Sequence, residues 1–139
     1  MTDTTFSAAP TRPNAAALWG GRAMSGLVVA FLAMDAGMKL AQLPIVAETG
    51  AKLGWGPETG LPLGVTLAAI AVLYAIPRTS ILGAVLLTGY LGGAVATHVR
   101  VGSPLFSHVL FGVYIGVLAW GGLWLRNPRL RALFPLDRG

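Results

Sequence analysis

The sequence predicts an all-α integral membrane protein, a bundle of four transmembrane helices with a short interfacial helix in the first loop. Composition, hydropathy and the spacing of apolar runs each point that way. Of 139 residues, 55% are hydrophobic and only 11% are charged, whereas a soluble domain is about one-quarter charged. Mean hydropathy is +0.70. The apolar residues gather into four runs, each near the length that crosses the hydrocarbon core. Low charge and high hydrophobicity also exclude a disordered chain, and the length fits one domain.

Residues 1–22 are rich in Ala and Thr and hold Pro10 and Pro13, so they read as a mobile cytoplasmic tail. The first apolar run, 23–43, is interrupted only by Asp35, Lys39 and Gln42. At 1.5 Å per residue it spans roughly 30 Å, the thickness of the hydrocarbon. No convincing small-x-small cleavage pattern follows it, so it reads as a span and not as a signal peptide. The loop from Pro44 to Gly60 pairs Glu48 with Lys52 at i, i+4 beside Ile45, Val46 and Leu53, the pattern of a short helix lying on the membrane. Trp55 is placed as an interface anchor. The second run covers 60–77 and ends at Pro77-Arg78. The third covers 79–99 with no charge inside, and Arg100 to Pro104 make a turn. The fourth covers 105–125 and holds His108 as its one ionisable group, after which 127–139 form a basic cytoplasmic tail.

Charge distribution sets the orientation. Arg12, Arg22, Arg78, Arg126, Arg129, Arg131 and Arg138 fall on one side, and Lys52 and Arg100 on the other. Basic residues accumulate on the cytoplasmic side, so both termini are expected there, in a bacterial-type inner membrane. The same bias explains the net charge of +5 without nucleic acid, for which no basic surface with interleaved aromatics exists. The chain has no cysteine, which removes thiolate nucleophiles, disulfides and cysteine-ligated clusters.

Asp35 and Lys39 share one face of the first helix with opposite charge. A charge at the bilayer centre costs about 2.5–3.5 kcal/mol on insertion scales, so the pair must face protein or water. It reads as a structural salt bridge, as a polar site for a headgroup or a proton path, or as Lys39 reaching the outer headgroups. The topology carries Lys39, His98, Arg100 and His108 to one outer layer, with Glu48 or Glu58 from the loop and Asp35 somewhat deeper. These are the candidate ligand-binding residues. No His-x-x-His or Glu-x-x-His pattern occurs, so neither haem nor another metal is expected.

Small residues spaced by four allow close helix approach in lipid. Gly89 and Gly93 on the third run, with Gly112 and Gly116 on the fourth, predict a tight antiparallel hairpin. Gly26, Ala30, Ala33 and Gly37 form a stripe opposite Asp35 and Lys39. That stripe faces either another subunit or a second neighbour in the same chain. Tyr90, Tyr114, Trp120 and Trp124 read as packing and belt aromatics.

Several stretches resemble the DoxX-like family of small four-helix bacterial membrane proteins. They are Met34-Asp35-Ala36-Gly37-Met38-Lys39-Leu40, Leu53-Gly54-Trp55, the turn Tyr74-Ala75-Ile76-Pro77-Arg78-Thr79, and the run from Leu82 through Thr97-His98-Val99-Arg100-Val101-Gly102 to His108. The resemblance covers about residues 20–130. It implies a link to redox chemistry, since relatives include small subunits associated with thiosulfate:quinone oxidoreduction and membrane partners of antioxidant and sulfur-handling enzymes. A persulfide intermediate has no cysteine to form on here.

The leading expectation is therefore a small subunit linked to redox or quinone chemistry, with a quinone headgroup held in the outer polar layer. The alternative is a non-enzymatic anchor or assembly scaffold, whose glycine stripes bind a homo-oligomer or a redox-enzyme partner. A small transporter comes third, because no inverted repeat or broken helix occupies matching positions.

Overall fold

In the computed structural model, which describes residues 14–135, the chain folds into helices α1 (Ala15–Leu40), α2 (Pro44–Lys52), α3 (Gly60–Ala75), α4 (Ser80–Arg100), α5 (Phe111–Arg126) and α6 (Pro128–Leu133). No strand occurs among the described residues. Four helical segments are long and apolar enough to cross a membrane: Ala15–Leu40, Pro57–Ala75, Ser80–Arg100 and Leu105–Arg126. They run up and down in sequence, and α1 closes the ring by packing on both α3 and α5. Leu27, Val65, Val72, Val85 and Val117 are each more than half exposed on the outside of this ring. In water such a surface would aggregate; in a bilayer it is the face that lipid covers. The chain is an integral membrane protein of four spans.

The structure shifts several expected boundaries. α1 begins at Ala15 and not at Ala23, because the side chain of Asn14 caps it by accepting from the Ala17 N–H at 2.7 Å. Residues 15–22 of the expected tail are therefore helical, and residues 1–13 lie outside the described residues. At the other end Asn127 accepts from the N–H groups of Arg129 and Leu130 and starts α6, whose Leu130 is buried against the core. Part of the expected basic tail is thus folded; residues 136–139 lie outside the described residues. The helix expected in the first loop is α2, with none of its residues buried.

The core is a stack of Val28, Leu32, Leu67, Ala84, Leu87, Ala119 and Leu123 around Tyr74, which is completely enclosed. The Tyr74 hydroxyl donates to the Ala119 carbonyl at 2.8 Å and meets the Ser25 hydroxyl at 3.0 Å. This one phenol therefore ties α3 to α5 and α1. A polar group buried in lipid must find such partners, and a tyrosine can supply them while filling apolar volume. The α3–α4 turn is capped in the same spirit. Thr79 donates to the Leu73 carbonyl at 2.7 Å, and Ser80 donates to the Tyr74 carbonyl at 2.8 Å.

Glycine packing departs from the sequence reading. A Cβ placed on Gly89 or Gly93 would have no atom within 4 Å, so these residues face away from the chain. Gly112 does pack on α4, where an added Cβ would lie 3.3 Å from the Leu91 carbonyl oxygen, and one on Gly116 would lie 3.8 Å from the Leu91 side chain. The α4–α5 hairpin thus uses the glycines of only one helix, because Leu91 and Val95 fill the facing surface. The closest α1–α5 approach is at Gly21 and Gly122, where an added Cβ on Gly21 would lie 2.7 Å from the Gly122 carbonyl oxygen. A Cβ added at Gly26 or Gly37 would meet nothing within 4 Å, so neither residue of the first-helix stripe is packed against a neighbouring helix.

Candidate functional site

The end of the bundle opposite Asn14 and α6 carries every candidate ligand-binding residue, but in separate groups. On α1, the Lys39 ammonium pairs with the Asp35 carboxylate one turn earlier. Their side chains are 17% and 25% exposed. α3 covers the lysine stem, since a Cβ on Gly64 would lie 2.8 Å from the Lys39 Cβ. Pairing makes the two charges tolerable where a single one would cost about 2.5–3.5 kcal/mol at the bilayer centre.

His98 and His108 form the second group. Their rings meet edge to face, with centroids 5.7 Å apart. α4 delivers His98 in its last turn. His108 arrives through the segment Leu105–Val109, a wide turn whose bonds run from the Val109 N–H to the Pro104 carbonyl and from the Leu110 N–H to the Leu105 carbonyl. Such π-type turns often occur at functional positions. Gly102, with φ +70°, supplies the left-handed residue that reverses the chain between them. Each imidazole Nδ1 is engaged by a serine hydroxyl: His98 with Ser103 at 2.9 Å and His108 with Ser107 at 2.7 Å. When the serine donates, the ring proton resides on Nε2, and neither Nε2 has a partner among the described residues. Both imidazoles can then donate outward to a carbonyl oxygen and pass a proton.

Arg100 forms the third group. Its Nη2 donates to the Leu53 carbonyl at 2.7 Å, tying α4 to the first loop. Gly54 accommodates this: its φ is +79°, and a Cβ there would lie 3.1 Å from Nη2. A cavity of about 300 Å³ opens beside the guanidinium, lined by Gly54, Trp55, Ala96, Thr97 and Arg100. It combines a flat indole, a fixed donor and an apolar wall, the composition that suits a small ring carrying acceptor oxygens.

The structure therefore joins His98 to His108 and Asp35 to Lys39, and places Arg100 on the loop that follows α2. No contact links the ion pair to the histidines among the described residues, and Glu48 and Glu58 form no ion pair there. α1 and α4 stand across the bundle from each other, which separates the two groups. Sequence reasoning missed Ser103 and Ser107. The available signal was a serine on each side of Pro104-Leu105-Phe106, within reach of the two histidines. No group of three metal-ligating side chains converges among the described residues.

No curated protein and no solved structure matches this chain. The sequence pattern of the DoxX-like family matches residues 23–122, from the body of α1 to the last turns of α5. That match takes in most of each span and all of Asp35, Lys39, His98, Arg100 and His108, and the chain belongs to the DoxX-like family.

Proposed function

We propose that this chain is a small membrane subunit linked to redox chemistry, and that its polar end holds the headgroup of a quinone. One observation carries the reading. The last turn of α4 carries both Arg100, which lines the cavity beside Trp55, and His98, which meets His108 just outside that cavity, at the edge of an apolar bundle. A quinone headgroup is a flat ring with two acceptor oxygens, and in redox reactions it takes up or releases electrons together with protons. Arg100 fixes a donor at the cavity wall, Trp55 offers a face for stacking, and the imidazoles supply or accept the accompanying proton. The Asp35–Lys39 pair, net neutral, stands apart on α1 at the same end. In this account the termini are cytoplasmic and the polar end faces outward in an inner membrane, as the arginine distribution favours.

Saturable quenching of Trp55 fluorescence by a short-tail quinone tests the site. Arg100→Gln, or His98→Ala with His108→Ala, is expected to raise Kd roughly ten-fold, about 1.4 kcal/mol. Unchanged affinity in all these variants would remove the proposal.

A second reading has an observation of its own. A Cβ added at Gly26, Gly37, Gly89 or Gly93 would meet nothing within 4 Å, which leaves small-residue faces open to another helix. An assembly scaffold, alone or as an oligomer, would use them. It predicts that Gly37→Leu or Gly93→Leu abolishes complex formation, while neutralising both Asp35 and Lys39 leaves partners bound.

A further inference from the structure

The opposite end of the bundle, near Asn14 and α6, holds another cavity, of about 250 Å³, between α1, α3 and α5. Arg22 and Ser25 line it from α1, Tyr74 from α3 and Arg126 from α5. Two guanidinium groups on one small cavity repel each other unless an anion lies between them. Among the described residues no carboxylate serves there. Asp35 pairs with Lys39, and Glu48 and Glu58 sit in the first loop at the far end. The Nε of Arg126 is buried and has no hydrogen-bond partner among the described residues. A buried donor without a partner is rare in a folded protein and asks for an explanation.

The fold holds both arginines in place. The Gly21–Gly122 crossing presses the Arg126 stem against α1, so that a Cβ on Gly21 would lie 3.2 Å from the Arg126 Cβ. Arg22 lies over the Trp19 ring, with its guanidinium carbon 5.2 Å from the centroid. On the same end, Arg131 lies 5.7 Å from the centroid of Trp124. Tryptophans and arginines at one level mark the headgroup region of a bilayer. At that level the α1 wall is open: Gly26 lines the cavity, and a Cβ there would meet nothing within 4 Å.

We propose that this cavity binds a phosphate-bearing anion through Arg22 and Arg126, either the phosphodiester of an anionic lipid headgroup or a soluble phosphate. The planar guanidinium fork matches the oxygen spacing of a phosphate, which Lys would meet only as a point charge. The opening at Gly26 gives a headgroup lateral entry from the adjacent leaflet. This site lies at the other end of the bundle from the quinone site and does not depend on it.

Native mass spectrometry of the full chain in mild detergent, titrated with phosphatidylglycerol or phosphatidylcholine, tests the lipid arm. Thermal melting in inorganic phosphate against chloride of equal ionic strength tests the soluble arm. Arg126→Gln and Arg22→Gln are each expected to weaken phosphatidylglycerol binding roughly ten-fold, about 1.4 kcal/mol. Arg129→Gln, outside the cavity, is expected to leave it unchanged. Gly26→Leu, which fills the opening and keeps both arginines in the sequence, serves where an arginine variant fails to fold, and it too is expected to lose the lipid. Stabilisation by inorganic phosphate, lost in Arg126→Gln, without selective lipid retention supports the soluble source. Equal retention of both lipids by wild type, together with no phosphate effect, overturns the proposal. So does unaltered phosphatidylglycerol binding in the Arg22→Gln, Arg126→Gln double variant and in Gly26→Leu.

Discussion

Gly83→Ala probes the α3–α4 contact on which the bundle geometry rests. Gly83 lies in the first turn of α4 directly against the end of α3, and an added Cβ would press on the Tyr74 backbone nitrogen and lie 2.6 Å from the Tyr74 Cα and 2.8 Å from the Leu73 carbonyl carbon. Both neighbours are backbone, so no side chain can swing aside. Ordinary contact begins near 3.4 Å, so the helices must part by about 1 Å to clear the Tyr74 backbone nitrogen, the nearest atom of all. A gap of that size forfeits about a quarter to a half of the dispersion energy across the contact. It also displaces Tyr74, whose hydroxyl bridges Ser25 and Ala119. Overpacking of this kind costs about 1–3 kcal/mol, and the loss at Gly83 should fall near the top of that range. Gly89→Ala is the control, because its Cβ enters open space and alanine is the better helix former. Unfolding followed by far-ultraviolet circular dichroism in mild detergent measures both. Wild-type stability in Gly83→Ala, or an equal loss in Gly89→Ala, would refute the packing described here.

Other perturbations follow from the same contacts. Tyr74→Phe keeps the apolar volume and removes the bridge between α1, α3 and α5, for an expected loss of about 1 kcal/mol in the same unfolding measurement. Lys39→Met strands the Asp35 carboxylate and should cost about 2 kcal/mol; adding Asp35→Asn should restore most of it, whereas additive losses would show that the two residues do not interact. Because the chain lacks cysteine, single-cysteine variants can be labelled cleanly in intact cells. Lys52→Cys should react with an impermeant maleimide, and Asn14→Cys only after permeabilisation; the reverse pattern would invert the proposed orientation.

The spans were legible because lipid imposes a simple rule on composition: long apolar runs must be helices whose backbone groups are satisfied internally. Asp35 and Lys39 were legible as a pair for the same reason, since an unpaired charge is so costly there. The meeting of His98 and His108 could be anticipated from their places on either side of a short turn. The wide turn that aims His108 and the serines that hold both rings could not, because they depend on local geometry around Pro104. Glycine roles were misassigned at Gly89 and Gly93, as spacing alone does not say which face of a helix has a neighbour. The true close approach pairs Gly21 with Gly122, and the four-residue repeat Gly21–Ser25 that marks it on α1 begins in residues whose composition reads as a tail. The start of α1 was hidden because residues 15–22 lack a strong apolar period, and a single Asn14 cap sets it.

The central claim is tested most directly on protein purified in mild detergent with its native lipids, by extracting and mass-analysing the small molecules that travel with it. The account predicts a quinone near stoichiometry in the wild-type protein and its loss from the His98→Ala, His108→Ala variant. A quinone-free wild-type preparation that still carries a partner protein would contradict the redox assignment and leave the scaffold reading in its place.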